Sequence, residues 1–141
     1  MTEEMLRVRE EKLSAVCDAN TQLQMRCLQK THVEINSLKD AALAVPEILG
    51  MALEAEQTGF DAVGLYCCSD PGIGACREIL EIPVVGAGQK AVLLAASLGY
   101  RFSLLCSGGA RVYEKRHFIH STGIGAERLA SVRGVNVDGL C

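Results

Sequence analysis

Cys67-Cys68-Ser69-Asp70-Pro71-Gly72 brings two thiols, a hydroxyl and a carboxyl group together on one short stretch. Before it runs a near-continuous apolar segment from Phe60 to Cys67, the pattern of a strand buried on both faces. After it, Ile73 to Leu80 reads as a short helix. The spacing puts Cys67 at the carboxyl end of a strand, with a helix opening a few residues later. Free N–H groups at a helix start attract anions and favour the ionised form of a nearby thiol. Such a turn suits a reactive thiolate beside a bound carboxylate, with Ser69 or Asp70 capping the helix. Cys67 and Cys68, as strand neighbours, point to opposite faces, so one of the two faces a ligand. Two structural cysteines at a strand end is the plainer alternative.

Two further turns resemble binding loops. Gly86-Ala87-Gly88-Gln89-Lys90-Ala91 follows a strand pattern and opens a helix, as a dinucleotide fingerprint does. That motif needs an acid at the end of the next strand for the ribose. Here the first acid after that strand is Glu114, inside a helix. The plainer reading is that the glycines permit a tight turn and close backbone approach. Cys106-Ser107-Gly108-Gly109 is small enough for an anion-binding backbone nest or for an ordinary glycine-rich loop.

Composition narrows the classes. The 141 residues are 49% hydrophobic and 22% charged, with net charge −3 and no Trp, an ordinary globular profile. No basic stripe with interleaved aromatics marks a nucleic-acid binder. The most basic patch, Arg111, Lys115, Arg116 and His117, reads as a solvated helix face. No apolar run is long enough to span a membrane. The charged segment Met1 to Glu11 is no signal peptide, so the expected location is the cytoplasm. Seven cysteines, an odd number without C-x-x-C spacing, argue against a disulfide framework or a structural zinc site. Cys17, Cys27 and Cys76 read as small buried hydrophobes in helices. His32, His117 and His120 lack a metal-binding pattern and read as surface residues, so neither metal nor cofactor is expected.

These residues need elements to position them. Residues 2 to about 30 read as one helix, with Thr2 as cap and Glu3 and Glu4 in the first turn. Residues 31–38 alternate enough for a short strand. Residues 41–59 read as a helix, with Pro46 in its first turn or at a restart and Gly59 as its stop. Beyond the Cys67 turn come a strand at 82–86, a helix at 89–98, a strand at 101–106 and a helix at 110–120. A helical turn at 126–130 and a last strand at 132–140 close the chain. The alternation predicts an α/β fold, a parallel sheet flanked by helices, with its ligand site at the carboxyl ends of the strands.

Ala44-Val45-Pro46, Gly59-Phe60-Asp61-Ala62-Val63, Cys67 to Gly72, Arg77-Glu78, Ile82 to Gly86 and Leu98 to Ser103 occur in an order and spacing that resemble the aspartate/glutamate/hydantoin racemase family, closest to its hydantoin racemase branch. The resemblance implies a cofactor-independent racemase built from two α/β lobes, each giving one catalytic cysteine to a substrate held between them. Its first cysteine maps to Cys67. It further implies that Cys68, Ser69, Asp70 and Gly88 bind a small substrate: an amino acid, a hydantoin or a related carboxylate. On this reading residues 1–99 are a first lobe without its first strand, and 100–141 begin the second.

The chain departs from the family pattern in two places. No strand with an Asn-Pro-Asn-Thr-type loop precedes Thr2, and the Gly-Cys motif of the second thiol belongs beyond Cys141. Cys106 ends a different strand, and Cys141 comes too early. The expectation is a partial fold, inactive by itself, with open sheet edges that favour a homo-oligomer. Beside it stand a one-cysteine decarboxylase or isomerase of the same superfamily, a nucleotide-binding module using Gly86 to Ala91, and a non-catalytic partner protein that kept the scaffold.

Overall fold

The computed structural model describes residues 3–31, 34–109, 111–124 and 126–135, which divide between two units, Met1–His32 and Val33–Cys141. The first unit holds helix α1 (Glu3–Ser14) and then irregular chain. The long helix expected here stops at Ser14, where the Val16 and Cys17 N–H groups turn to the Leu13 and Ser14 carbonyls, and Asp18 then shapes the next turn. Its carboxylate accepts the Asn20 N–H at 3.0 Å and its carbonyl the Thr21 N–H at 2.9 Å. Glu10 then accepts the Met25 N–H at 2.6 Å and folds the segment back. Cys17 and Cys27, expected within a helix, are half-buried in this irregular chain.

The second unit runs α2 (Leu38–Gln57), β1 (Val63–Leu65), α3 (Ile73–Ile79), β2 (Val84–Gly86), α4 (Ala87–Leu98), β3 (Phe102–Ser107), α5 (Arg111–Ser121), a 3-10 turn (Ala126–Arg128) and β4 (Leu129–Val135). β1 and β2 pair in parallel, Val63 opposite Val84 and Leu65 opposite Gly86. β3 and β4 also pair in parallel, Leu104 opposite Val132, with an irregularity at Phe102/Ser103. Each pair is a βαβ unit, crossing through α3 or α5, and α4 links them. The parallel α/β architecture is therefore present, with α3 packed on β2 and α5 on β3 and β4. The boundary expected at residues 99/100 falls in the link between the two strand pairs.

Packing explains the element positions. Val92 of α4 and Phe118 and Ile119 of α5 form a core under Phe102, Leu104, Ile124 and Leu129. α2 buries Ala44, Ile48 and Ala52, a stripe at four-residue spacing. That stripe carries the helix past Pro46, which sits well inside it. α2 also starts earlier than expected, and residues 34–37 form no strand. Ser37 caps the helix, its hydroxyl accepting the Asp40 N–H at 3.2 Å, and the Asp40 carboxylate takes the Asn36 N–H that a strand would have used. His32 and Val33 lie outside the described residues, as do Ala110 and residues 136–141. β1 is shorter and more open than a strand buried on both faces. Gly64 is exposed, because among the described residues β1 pairs with β2 alone. Among the described residues no helix is long and apolar enough to cross a membrane.

Candidate functional site

The chain leaves β1, passes exposed Tyr66, and turns at Cys67. The Cys67 carbonyl accepts the Asp70 N–H at 3.0 Å, closing a tight turn. Cys67 is half-buried and Cys68 exposed. Asp70 adopts a left-handed backbone with φ 43, a conformation Asp tolerates better than most residues. Neither Ser69 nor Asp70 caps α3. The cap position belongs to Gly72, at φ 74, and no side chain bonds there. The first α3 N–H, of Ile73, goes to the Asp70 carbonyl at 3.2 Å. At the α3 start, expected to bind an anion, the first N–H is thus taken by the turn itself.

The Asp70 carboxylate reaches 18 residues along the chain instead. It accepts the Gly88 N–H at 2.9 Å and the Gln89 N–H at 2.6 Å, and Asp70 is 3% exposed. It thus caps α4 from a distance, a negative charge at a helix N-terminus. This contact explains the Gly-Ala-Gly spacing. A Cβ at Gly86 would overlap the Asp70 carboxylate and Ile73, and one at Gly88 would stand 2.6 Å from the Cys68 carbonyl oxygen and 2.7 Å from Phe118. The glycines admit the Cys67 turn, and the N–H groups that a pyrophosphate would need are donated to Asp70. The Gly88 N–H, expected as a donor to substrate, is spent in the same bond. Arg77 braces the far side, donating to the Val84 carbonyl (3.2 and 3.1 Å) and to Gln89 Oε1 (3.1 Å).

Lys115 is the residue that the sequence reading misplaced. Expected on a solvated face, it is 6% exposed, and neighbouring Glu114 is 5% exposed. Its ammonium lies 3.2 Å from Glu114 Oε2 and donates to the Cys68 carbonyl at 3.3 Å and to Ser69 Oγ at 2.6 Å. The signal was available: Glu114, Lys115, Phe118 and Ile119 recur at helical spacing and share the buried face of α5. Arg116, His117 and His120 are exposed, as a solvated face requires.

The other described thiols of the second unit, Cys76 and Cys106, are buried. Cys76 is buried in α3, and burial pushes its thiol pKa up, which suits an inert residue. Cys106 is buried in β3, its thiol directed at the carbonyls of Gly108 (3.8 Å) and Arg133 (3.6 Å). Among the described residues no group of His, Cys, Asp and Glu is arranged to hold a metal ion. The turn therefore presents a half-buried thiol, an exposed thiol and a hydroxyl, backed by a buried carboxylate and a buried ammonium.

Over residues 2–140 the chain matches the family model for Asp/Glu/Hydantoin racemase. It is 38% identical over 71 residues to a hydantoin racemase of Pseudomonas sp. (strain NS671) and 37% identical over 75 residues to one of Rhizobium meliloti. These stretches are 50% and 53% of this chain but 28% and 31% of those relatives, so the matches cover less than a third of their length. In fold it is similar to the allantoin racemase from Klebsiella pneumoniae, with TM-score 0.88 and 23% identity, over 99% of this chain and 59% of that one.

Proposed function

The chain belongs to the Asp/Glu/hydantoin racemase family, and from that membership we propose a cofactor-independent racemase site in which Cys67 is one of two acid/base thiols acting on an amino acid or a derivative such as a hydantoin. One observation carries this reading: a half-buried thiol beyond the end of a parallel strand, on a turn clamped by Asp70 and by Lys115. As a thiolate, Cys67 takes the proton from the substrate's α-carbon, and the electron pair left there delocalises into the adjacent carbonyl. The Ser69 hydroxyl donates to the oxygen that gains charge. An opposing acid returns a proton on the other face and inverts the centre. Cys67 ends protonated and the opposing group ionised, ready for the reverse reaction. Asp70 and Gly88 build the turn in this reading, and Cys67, Cys68 and Ser69 line it.

The opposing group is not among the described thiols of the second unit. Cys76 and Cys106 are buried, and Cys68 is the chain neighbour of Cys67. The chain by itself is therefore expected not to racemise 5-substituted hydantoins, aspartate or glutamate, as polarimetry would show. Turnover abolished by Cys67→Ser would mean that it carries both sides of the site. The substrate class is tested by protection. A saturating ligand of the right class slows iodoacetamide labelling of Cys67, followed by peptide mass spectrometry. Failure of hydantoins, aspartate and glutamate alike to protect would overturn the assignment of substrate.

A further inference from the structure

We propose that Lys115 is a positioning residue of the Cys67 site and the cation through which that site prefers anionic ligands. The inference rests on the reading of Cys67 as the reactive thiol and adds to it a residue from α5. An ammonium has three donors, and here each has an acceptor: Glu114 Oε2, the Cys68 carbonyl and Ser69 Oγ. The ion pair with Glu114 uses one of the three. Burying it is costly unless further hydrogen bonds are made, and both of these fall on the two residues that follow Cys67. Ser69 Oγ accepts from Lys115, so its own hydrogen is left for another acceptor. A hydroxyl polarised by a cation is the stronger donor. The arrangement has no slack, because the Cys68 carbonyl lies between the ammonium and Gly88, where even a methyl group would stand 2.6 Å from the oxygen. Phe118, its ring centroid 5.7 Å from the ammonium, closes the other side.

The test compares two alkylating reagents of similar size on the full chain, neutral iodoacetamide and anionic iodoacetate. Rates at Cys67 are followed by peptide mass spectrometry, against a free-cysteine reference peptide. Glu114→Gln/Lys115→Met removes both members of the buried pair, so no buried charge is left alone and the net charge is unchanged. The ratio of iodoacetate to iodoacetamide rates at Cys67 is expected to fall roughly twofold or more in this double variant, because the pair acts as a dipole whose ammonium end touches the Cys68 carbonyl and Ser69 Oγ. Buried Cys76 should stay protected, and Lys115→Arg should retain most of the ratio. An unchanged ratio with Cys76 still protected overturns the proposal. If Cys76 becomes reactive and shows that the double variant has loosened, Ser69→Ala decides, since it leaves the ion pair intact. Slower labelling of Cys67 supports the clamp, and unaltered labelling overturns it. A native Cys67 no faster than the reference peptide would instead sink the reading of Cys67 itself, whatever the Lys115 variants do.

Discussion

Asp70 combines a left-handed backbone, near-complete burial and two charge-assisted hydrogen bonds to the start of α4. The backbone strain costs about 1–3 kcal/mol, and each bond to a charged group offsets about 1.5–3 kcal/mol. The bonds win, so a strained turn persists beside the candidate thiol. Asp70→Ala removes both acceptors and leaves the buried Gly88 N–H and the part-buried Gln89 N–H without them. It should cost about 2–4 kcal/mol in urea unfolding, a large share of an ordinary domain's stability. A loss below about 1 kcal/mol would mean that water replaces the carboxylate. Both partners of this contact were legible as motifs, Cys67 to Gly72 and Gly86 to Ala91. Their meeting was not, because local spacing carries no record of a contact 18 residues apart. The plainer reading of the glycines, a tight turn with close backbone approach, holds, and the group they let approach is a carboxylate of the same chain. Lys115 was hidden differently: a Lys beside a Glu matches a solvated face, and only its phase with Phe118 and Ile119 places it inside.

At the scale of elements, α4 has no acid in its first turn and no base in its last. Both charges come from elsewhere: Asp70 at its start, and at its end Arg128, which donates to the carbonyls of Ala96 (3.4 Å), Gly99 (3.3 Å) and Tyr100 (3.0 Å). Each sign complements the helix dipole. α2 is capped locally. The Ser37 hydroxyl, 2.7 Å from the carboxylate, holds the Asp40 carboxyl below its ordinary pKa, helped by the Asn36 N–H and Lys39 and partly opposed by burial. A carboxyl lowered in the folded state stabilises it above the ordinary carboxylate range, and that contribution is lost as pH falls through the folded value. Ser37→Ala should cost about 1 kcal/mol at neutral pH. Urea midpoints should differ less between variant and parent at pH 3 than at pH 7 (roughly one unit below and three above the free Asp value). A gap of constant width would show that the Ser37–Asp40 contact contributes no pH dependence.

For the whole molecule, the alternation of strands and helices was legible because buried parallel strands have few sequence substitutes. Strand lengths and burial were not, since they depend on how many neighbours a strand has. Among the described residues each sheet has two strands, leaving open edges at β1–β2 and β3–β4. Leu93, Leu94 and Leu98 on α4, with Tyr100 and Leu105, are exposed as well. Open edges and grouped apolar side chains promote association. Size-exclusion chromatography with light scattering should therefore report a species heavier than the 15.1 kDa monomer. A monodisperse monomer that unfolds cooperatively would show that these surfaces are tolerated in solution.

The central claim, that Cys67 is the reactive thiol, is tested by racing the cysteines of the native chain against one another. Exposure alone ranks Cys68, which is exposed, ahead of half-buried Cys67. With limiting iodoacetamide at neutral pH and peptide mass spectrometry as readout, Cys67 should be labelled first, roughly tenfold ahead of Cys68, and buried Cys76 last. Labelling of Cys68 ahead of Cys67, in the order of exposure, would contradict the claim.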